Sequence, residues 1–316
     1  MPRLILNADD FGLTRGVNRA IAELHAAGAL TSATLMANGP AFDDAVSIAR
    51  AHPTLGVGCH IVLTDGTPVS HPADIPSLIG TDGKTFRPSL ADFLLAVLRG
   101  RVDEEDIARE AAAQVQRLQR AGIDVTHLDT HKHTHILPGV ARPLLFVAAR
   151  AGVGAIRNPF EEPWSLALTR SDLMRSLQVR VMRSLRVRFA ALPQIASGEV
   201  QTTSGTIGIS ATGSLTEPIL RSLAAALPEG VWELVLHPGY NDRDLDTIRT
   251  RLRASREIER NALLNVFSPS ATPHPTPKTS PQLPPPQLIS YAALGTQGTL
   301  RQLGQFTPST GYETIL

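Results

Sequence analysis

The chain has a single cysteine, Cys59, in 316 residues. That excludes a disulfide framework within the chain and any cysteine-based zinc site, so a metal would need His, Asp or Glu ligands. Aromatic residues make up only 4%, too few for platforms on which bases stack. The formal net charge is +1, without the basic excess of a nucleic-acid binder, so no nucleic-acid partner is expected. No stretch reaches the roughly 18 apolar residues of a membrane span. The opening MPRLILNADDFG has a short apolar run cut by Asp9. It is neither a signal peptide nor a span, and a cytoplasmic location is the expectation.

Apolar material is ample. Hydrophobic residues make up 42%, enough for the core of one large α/β domain or two small ones. Short apolar runs at 3–10, 31–39, 55–63, 124–133, 153–159 and 232–239 read as buried strands. Between them, helical spacing covers 16–27, 41–51, 103–121, 139–150, 170–189, 216–226 and 244–263. The alternation argues a parallel sheet with helical crossovers, either a barrel or a doubly wound sheet. Polar residues gather at the strands' C-terminal ends: Asp9 and Asp10, Asn38, His60, Asp129 and His131, Arg157 and Asn158, His237. In a (β/α) barrel that end is the catalytic face, and no glycine-rich phosphate fingerprint opens a helix. A (β/α) barrel-like α/β fold, distorted or incomplete, is the preferred architecture. A single domain over 1–295 is expected, with a Pro/Ser/Thr-rich disordered insert at 265–287. LISYAAL (288–294) reads as a final strand or packed segment, and 296–316 as a tail.

Four of the ten histidines fall within HLDTHKHTHILP (127–138). If the strand persists, period two puts His127, Asp129, His131 and His133 on one side, which then cannot be ordinary core. A solvated edge would explain this. So would a metal site in which one His ligates while Asp129 and His133 orient it. The adjacent carboxylates of NADDFG repel each other, and a divalent cation would compensate them; a helix N-cap is the alternative. His60, inside an apolar run, is either a hydrogen-bonded core residue or a ligand. His237, before a Pro-Gly turn, suits a general acid or a turn cap. Asn38, Arg157 and Asn158 stand at strand ends, where substrate contacts belong. The joint pattern, an Asp or His from each of four strands at one end, is stronger than any part, and Asp plus two His from three strands fits a catalytic metal with a position left open for water.

NADDFGLTRGVNRAI, TSATLMANG, VGCHIVLTDGTPV, HLDTHKHTHILP and ELVLHPG together resemble the YdjC-like carbohydrate deacetylases. These include chitooligosaccharide deacetylases and a branch associated with hopanoid biosynthesis, of which AIRNPFEEPW (155–164) is reminiscent. The resemblance spans about residues 3–262 and resumes at LISYAAL. It implies a deacetylase barrel with a divalent metal on Asp10, His60 and His131, Asp9 as general base and His237 as general acid. Where the chitooligosaccharide relatives have DSHHHVH, this chain has DTHKHTH, so Lys132 replaces a histidine. Magnesium follows from the resemblance; zinc, cobalt or nickel suit two imidazoles and a carboxylate better by ligand softness. The implied reaction is hydrolytic N-deacetylation of an amino sugar, lipid-linked (an acetylglucosaminyl hopanoid) or a chitooligosaccharide. The resemblance also admits a homodimer. A phosphoesterase or other amidohydrolase, or a non-enzymatic carbohydrate-binding scaffold, are the competing readings.

The segment 170–189 is arginine-rich. On a helical wheel Arg175, Arg180, Arg183 and Arg186 share an arc of about 140°, opposite an apolar arc, with Val179 and Val187 breaking the separation. Such a helix either packs its apolar face inward or lies on an anionic membrane, giving peripheral contact at the inner face.

Overall fold

Among the described residues seven strands form one parallel sheet, six of them in a single path: β1 (Arg3–Phe11), β2 (Ser32–Leu35), β3 (Gly56–Ile61), β4 (Leu128–Thr130), β5 (Gly205–Ile207) and β6 (Val231–Leu236). The computed structural model describes residues 1–169, 179–269 and 285–294. The order is β4-β3-β2-β1-β6-β5, with helices in every crossover, as parallel pairing requires. Single parallel bridges carry the pairing past β4, from Leu128 to Ile156, Ala155 to Gln201 and Glu161 to Thr206. The last reaches β5, so the sheet curls and its two edges meet through irregular segments. This is the distorted barrel expected from the sequence rather than a flat doubly wound sheet.

Strand alternation decides what faces inward. Leu4, Leu6 and Ala8, Ala33 and Leu35, and Val57, Cys59 and Ile61 pack outward against the helices. Their neighbours Ile5, Asn7, Asp9, Ser32, Thr34, Gly58 and His60 face the barrel interior. A (β/α) barrel is usually filled by branched apolar side chains. Here only the floor is apolar, a cluster of Ile5, Ala155, Val231, Tyr291 and Leu294. Above it stand buried polar groups: Asn7, Asp9, Thr34, His60, His127, Asp129, Arg157 and Glu233.

Gly58 makes room for one of them. A Cβ there would lie 2.5 Å from Cε1 and 2.6 Å from Nδ1 of His127, inside any real contact. Gly58→Ala is therefore expected to destabilise the protein by about 1–3 kcal/mol through overpacking. Urea unfolding would measure this; an unchanged midpoint would mean that His127 moves aside freely.

Several expectations change. β4 is three residues long, and the chain leaves it through a 3-10 turn, His131–Ile136, in which Lys132 and His133 have φ of 58° and 53°. The 124–133 strand therefore does not persist, and period two does not govern His131 and His133. Helices Leu90–Leu98 and Pro163–Thr169 were not expected. The helix Ala254–Phe267 runs into the start of the supposed insert, and residues 270–284 lie outside the described residues.

Of the arginine-rich segment, 170–178, including Arg175, lie outside the described residues. In the remainder the two arcs do not separate. Arg183 and Arg186 turn in to the Glu162 carboxylate, while Val181 and Met182 of the apolar arc are 63% and 41% exposed. Among the described residues no helix is long and apolar enough to cross a membrane. LISYAAL does pack: β7 (Gln287–Leu288) pairs with Arg3 and Leu4 of β1, and β2 takes up β1 from Asn7 onward.

Candidate active site

Asp9 and Asp10 both reach the mouth of the barrel because β1 breaks its alternation there. Asp10 has a φ of 64°, and the register with β2 shifts between Ala8 and Phe11. A carboxylate held in the left-handed region is strained, and such strain gathers at functional sites. The N-cap alternative fails for this pair: Thr14 caps the following helix, its Oγ1 accepting from the Val17 N–H at 3.1 Å.

Asp10, His60 and His131 converge. His60 Nε2 is 3.3 Å from His131 Nδ1 and 3.7 Å from Asp10 Oδ1, and His131 Nδ1 is 3.5 Å from Asp10 Oδ1. A point equidistant from the three atoms lies about 2.0 Å from each, the usual distance for zinc or magnesium. His60 Nδ1 meets Asp129 Oδ1 at 2.7 Å, the backing that turns the opposite nitrogen toward a metal. Asp129 also accepts from Thr34 Oγ1 at 3.1 Å. Asp10 Oδ2 is held by Arg256 at 2.6 Å. Charge fits a cation as well. Four buried carboxylates (Asp9, Asp10, Asp129, Glu233) face two buried guanidiniums, Arg157 and Arg256. Burial works against charge on His60, yet Asp129, Asp9 and Asp10 raise it to about 9. The residues present therefore suit a divalent metal.

Asp9 lies beside this triad. Arg157 grips it with two hydrogen bonds, Nη1 to Oδ2 at 2.8 Å and Nη2 to Oδ1 at 2.6 Å. Burial would raise Asp9, but the Arg157 charge and hydrogen bonds hold it well below the usual carboxylate range. Burial likewise opposes the charge on Asp10, and Arg256 overrides it. His237 Nε2 is 3.9 Å from Asp9 Oδ2. Burial pushes His237 below the ordinary imidazole value, and its Nδ1 has no partner among the described residues. Its backbone N–H donates to Glu259, which burial pushes up to about 8.

A cavity of about 790 Å³ opens above these groups, walled by Met36, Asn38, Thr67, Leu90, Ile209 and Leu252 among others. Asn38 is in that wall; its Nδ2 donates to the Thr67 carbonyl at 2.8 Å and its Oδ1 has no partner among the described residues. Two of the expected substrate contacts are not there. Arg157 is fully buried beneath Asp9, because its irregular segment turns it into the interior. Asn158 is tied to Thr203 and Phe160. His133 lines the cavity, its Nδ1 without a partner among the described residues, instead of backing a ligand, because the left-handed turn carries it away from the strand. Lys132 shares that turn and pairs with Asp65 at 2.9 Å on the cavity wall.

Arg256, Glu233 and Tyr291 were missed. Glu233 left a trace, a charge inside the apolar run WELVL; Arg256 is one of several arginines in its stretch and left none.

A family model described as YdjC-like protein matches residues 3–267. The chain belongs to the YdjC-like family. Family relatives include a carbohydrate deacetylase of Brevibacillus brevis, 44% identical over 162 residues, 51% of this chain and 60% of that one. The chain thus matches somewhat over half the length of that relative. A carbohydrate deacetylase of Oceanobacillus iheyensis is 30% identical over 84% of this chain and 98% of its own. A chitooligosaccharide deacetylase of Salmonella heidelberg is 40% identical over 48% of this chain and 57% of that one. The fold is shared with a crystal structure of a candidate cellobiose-phosphate cleavage protein from Enterococcus faecalis. Its TM-score is 0.65 at 24% identity, over 83% of this chain and 90% of that one.

Proposed function

We propose that the protein removes the acetyl group from an N-acetylated amino sugar by hydrolysis, with a divalent metal held by Asp10, His60 and His131. The observation that carries this is the triangle of three donor atoms at the cavity floor, with His60 backed by Asp129. When bound, the metal supplies Lewis acidity: it polarises the amide carbonyl and lowers the pKa of a water. The chain's own groups handle the proton. Asp9 stays an anion at any working pH, so it orients the water and receives its proton only in passing. His237, neutral at the start and 3.9 Å away, takes that proton and delivers it to the departing amine. Asn38 Oδ1 offers the sugar an acceptor.

A two-metal phosphoesterase is the weaker reading. The other cluster with ligand spacing among the described residues, Asp9, His60 and Asp129, shares His60 with the first. Arg157 already sits on Asp9 and Asp129, the latter at 2.6 Å, where a second cation would have to go.

A lipid-linked amino sugar, such as an acetylglucosaminyl lipid, is the finer reading we favour. The helix Leu90–Leu98 starts in the cavity wall and leaves Leu95 and Leu98 45% and 73% exposed, an apolar rest for a lipid tail or a membrane face. Acetate release from N-acetylglucosamine oligomers and from an acetylglucosaminyl lipid, each with and without EDTA, tests both levels. EDTA-sensitive release from the lipid is expected. Release from the oligomers alone would overturn the lipid reading, and EDTA-resistant release would overturn the metal. No release from either, by protein shown to hold metal, would overturn the deacetylase. Zinc, cobalt and nickel are to be compared with magnesium, the softer set being favoured by two imidazoles.

A further inference from the structure

Residues 285–294 lie outside the stretch that the family model matches, yet they close the barrel beneath the reacting groups. β7 pairs along β1, the Tyr291 N–H donates to Ser32 Oγ at 3.0 Å, and Tyr291 and Leu294 complete the apolar floor. Tyr291 is fully buried, and a buried phenol needs a partner for its hydroxyl. That partner is Glu233 Oε2, 2.5 Å away.

Two chains of contact rise from this one side chain and end on the same carboxylate. The first starts at the hydroxyl. Glu233 Oε1 accepts from Arg157 Nε at 2.8 Å and lies 2.7 Å from its Nη2; the far edge of the same guanidinium holds both oxygens of Asp9. The second starts at the ring. Tyr291 stacks on His127 with centroids 3.7 Å apart and planes 10° from parallel. His127 Nε2 is 3.1 Å from Asn7 Oδ1, and Asn7 Nδ2 donates to Asp9 Oδ1 at 3.2 Å. Arg157 also holds Asp129, which orients His60. A guanidinium is planar, so fixing its Nε edge fixes where its two terminal nitrogens point. With Glu233 loose, Arg157 can rock in the plane that sets Asp9 and Asp129.

We infer that Tyr291 is a positioning residue for the reaction, holding Glu233 so that Arg157 presents Asp9 and Asp129 in their working geometry. It touches neither substrate nor metal ligand and acts only through these neighbours. The inference rests on the deacetylase reading for its catalytic consequence and on the structure alone for its effect on the ligand set.

Tyr291→Phe removes the hydroxyl and keeps the ring on His127. In the full-length chain kcat is expected to fall between about tenfold and a hundredfold, the scale of a small misplacement at the reacting centre, with KM little changed. Co2+ affinity, read from its visible absorption without substrate, is expected to fall several-fold through Asp129 and His60. Glu233→Gln should lower kcat too, and the double variant should be no worse than Glu233→Gln alone, since both act on one contact. Leu294→Ala loosens the same floor without touching the hydroxyl; it should lower the thermal midpoint and leave kcat and Co2+ affinity unchanged.

Wild-type kcat and Co2+ affinity in Tyr291→Phe would overturn the inference. So would additive losses in the double variant, or equal losses of kcat and Co2+ affinity in Leu294→Ala, which would reduce the segment to a structural plug. If the wild type released no acetate while Tyr291→Phe still weakened Co2+ binding, the deacetylase reading would fall and the positioning role would stand. If the wild type released no acetate and Tyr291→Phe left Co2+ binding unchanged, both would fall.

Discussion

Arg157→Met is expected to lower the unfolding free energy by about 3–5 kcal/mol, the usual result of stripping one partner from a buried ion pair. Total stability of a domain is typically about 5–15 kcal/mol, so this is a large share. The reason is local. Arg157 is the shared cation of Asp9, Asp129 and Glu233, and none of the four is more than 3% exposed. Methionine fills much of the volume but leaves the carboxylates without a counter-ion. The pH dependence identifies the cause. In the wild type Asp9 is depressed below its ordinary 3.8, so its contribution is present above that value and is lost only as pH falls through the depressed one. In the variant, burial without Arg157 raises Asp9 above 3.8, so it opposes folding at neutral pH and the opposition fades as pH falls. The gap between the two proteins should therefore narrow on acidification toward pH 4. Urea unfolding at pH 7 and near pH 4.5 would show it; a loss under 1 kcal/mol, or a gap that widens on acidification, would refute the account.

This electrostatic core was only half legible in the sequence. Asp9, Asp10, His60, His131 and His237 stand out because each ends an apolar strand with a side chain such a strand has no ordinary use for. Strand ends on one barrel face must meet, so the sequence alone suffices to group them. What alternation could not explain was how Asp9 and Asp10 both reach one site, or where His133 goes. Left-handed residues at 10, 132 and 133 decide both, and nothing in the residue types demanded that conformation. Arg157 was placed at the rim because it ends a run; the run is an irregular segment joined by single bridges, and it turns inward. Glu233, Arg256 and Tyr291 act across long stretches of chain: Arg256 meets Asp10 from 246 residues away and Tyr291 meets Glu233 from 58. Such pairings leave no local periodicity. A buried charge in an apolar strand says only that a partner exists somewhere.

The second large effect separates a ligand from the group behind it. Asp129→Asn should weaken divalent-metal binding by about 10–100-fold, the range for losing a residue that orients a ligating histidine. His131→Ala removes a donor atom outright, so its loss of metal and of acetate release should exceed about a hundredfold on the same scale. The fold should survive, because the His131 side chain is 24% exposed and lies at the start of a turn rather than in the packed floor. The proton on His60 sets the pH window wherever Asp129 is kept; Asp129→Asn removes the strongest of the charges that hold that proton. A ligating imidazole must give up the proton on the nitrogen that binds. His60, raised from 6.5 to about 9 by its carboxylate neighbours, still carries that proton at neutral pH in EDTA-stripped protein. There it stabilises the fold fully below 6.5, and the benefit is lost as pH rises through about 9. Metal and proton compete for one site, so affinity should rise with pH by up to about tenfold per unit until near 9 and then level off. Isothermal titration of zinc or cobalt into wild type, Asp129→Asn and His131→Ala at pH 6, 7 and 8, with circular dichroism for the fold, would measure all of this. Near-normal metal content in His131→Ala would remove His131 from the ligand set, and an affinity flat from pH 6 to 8 would show that His60 is already neutral there.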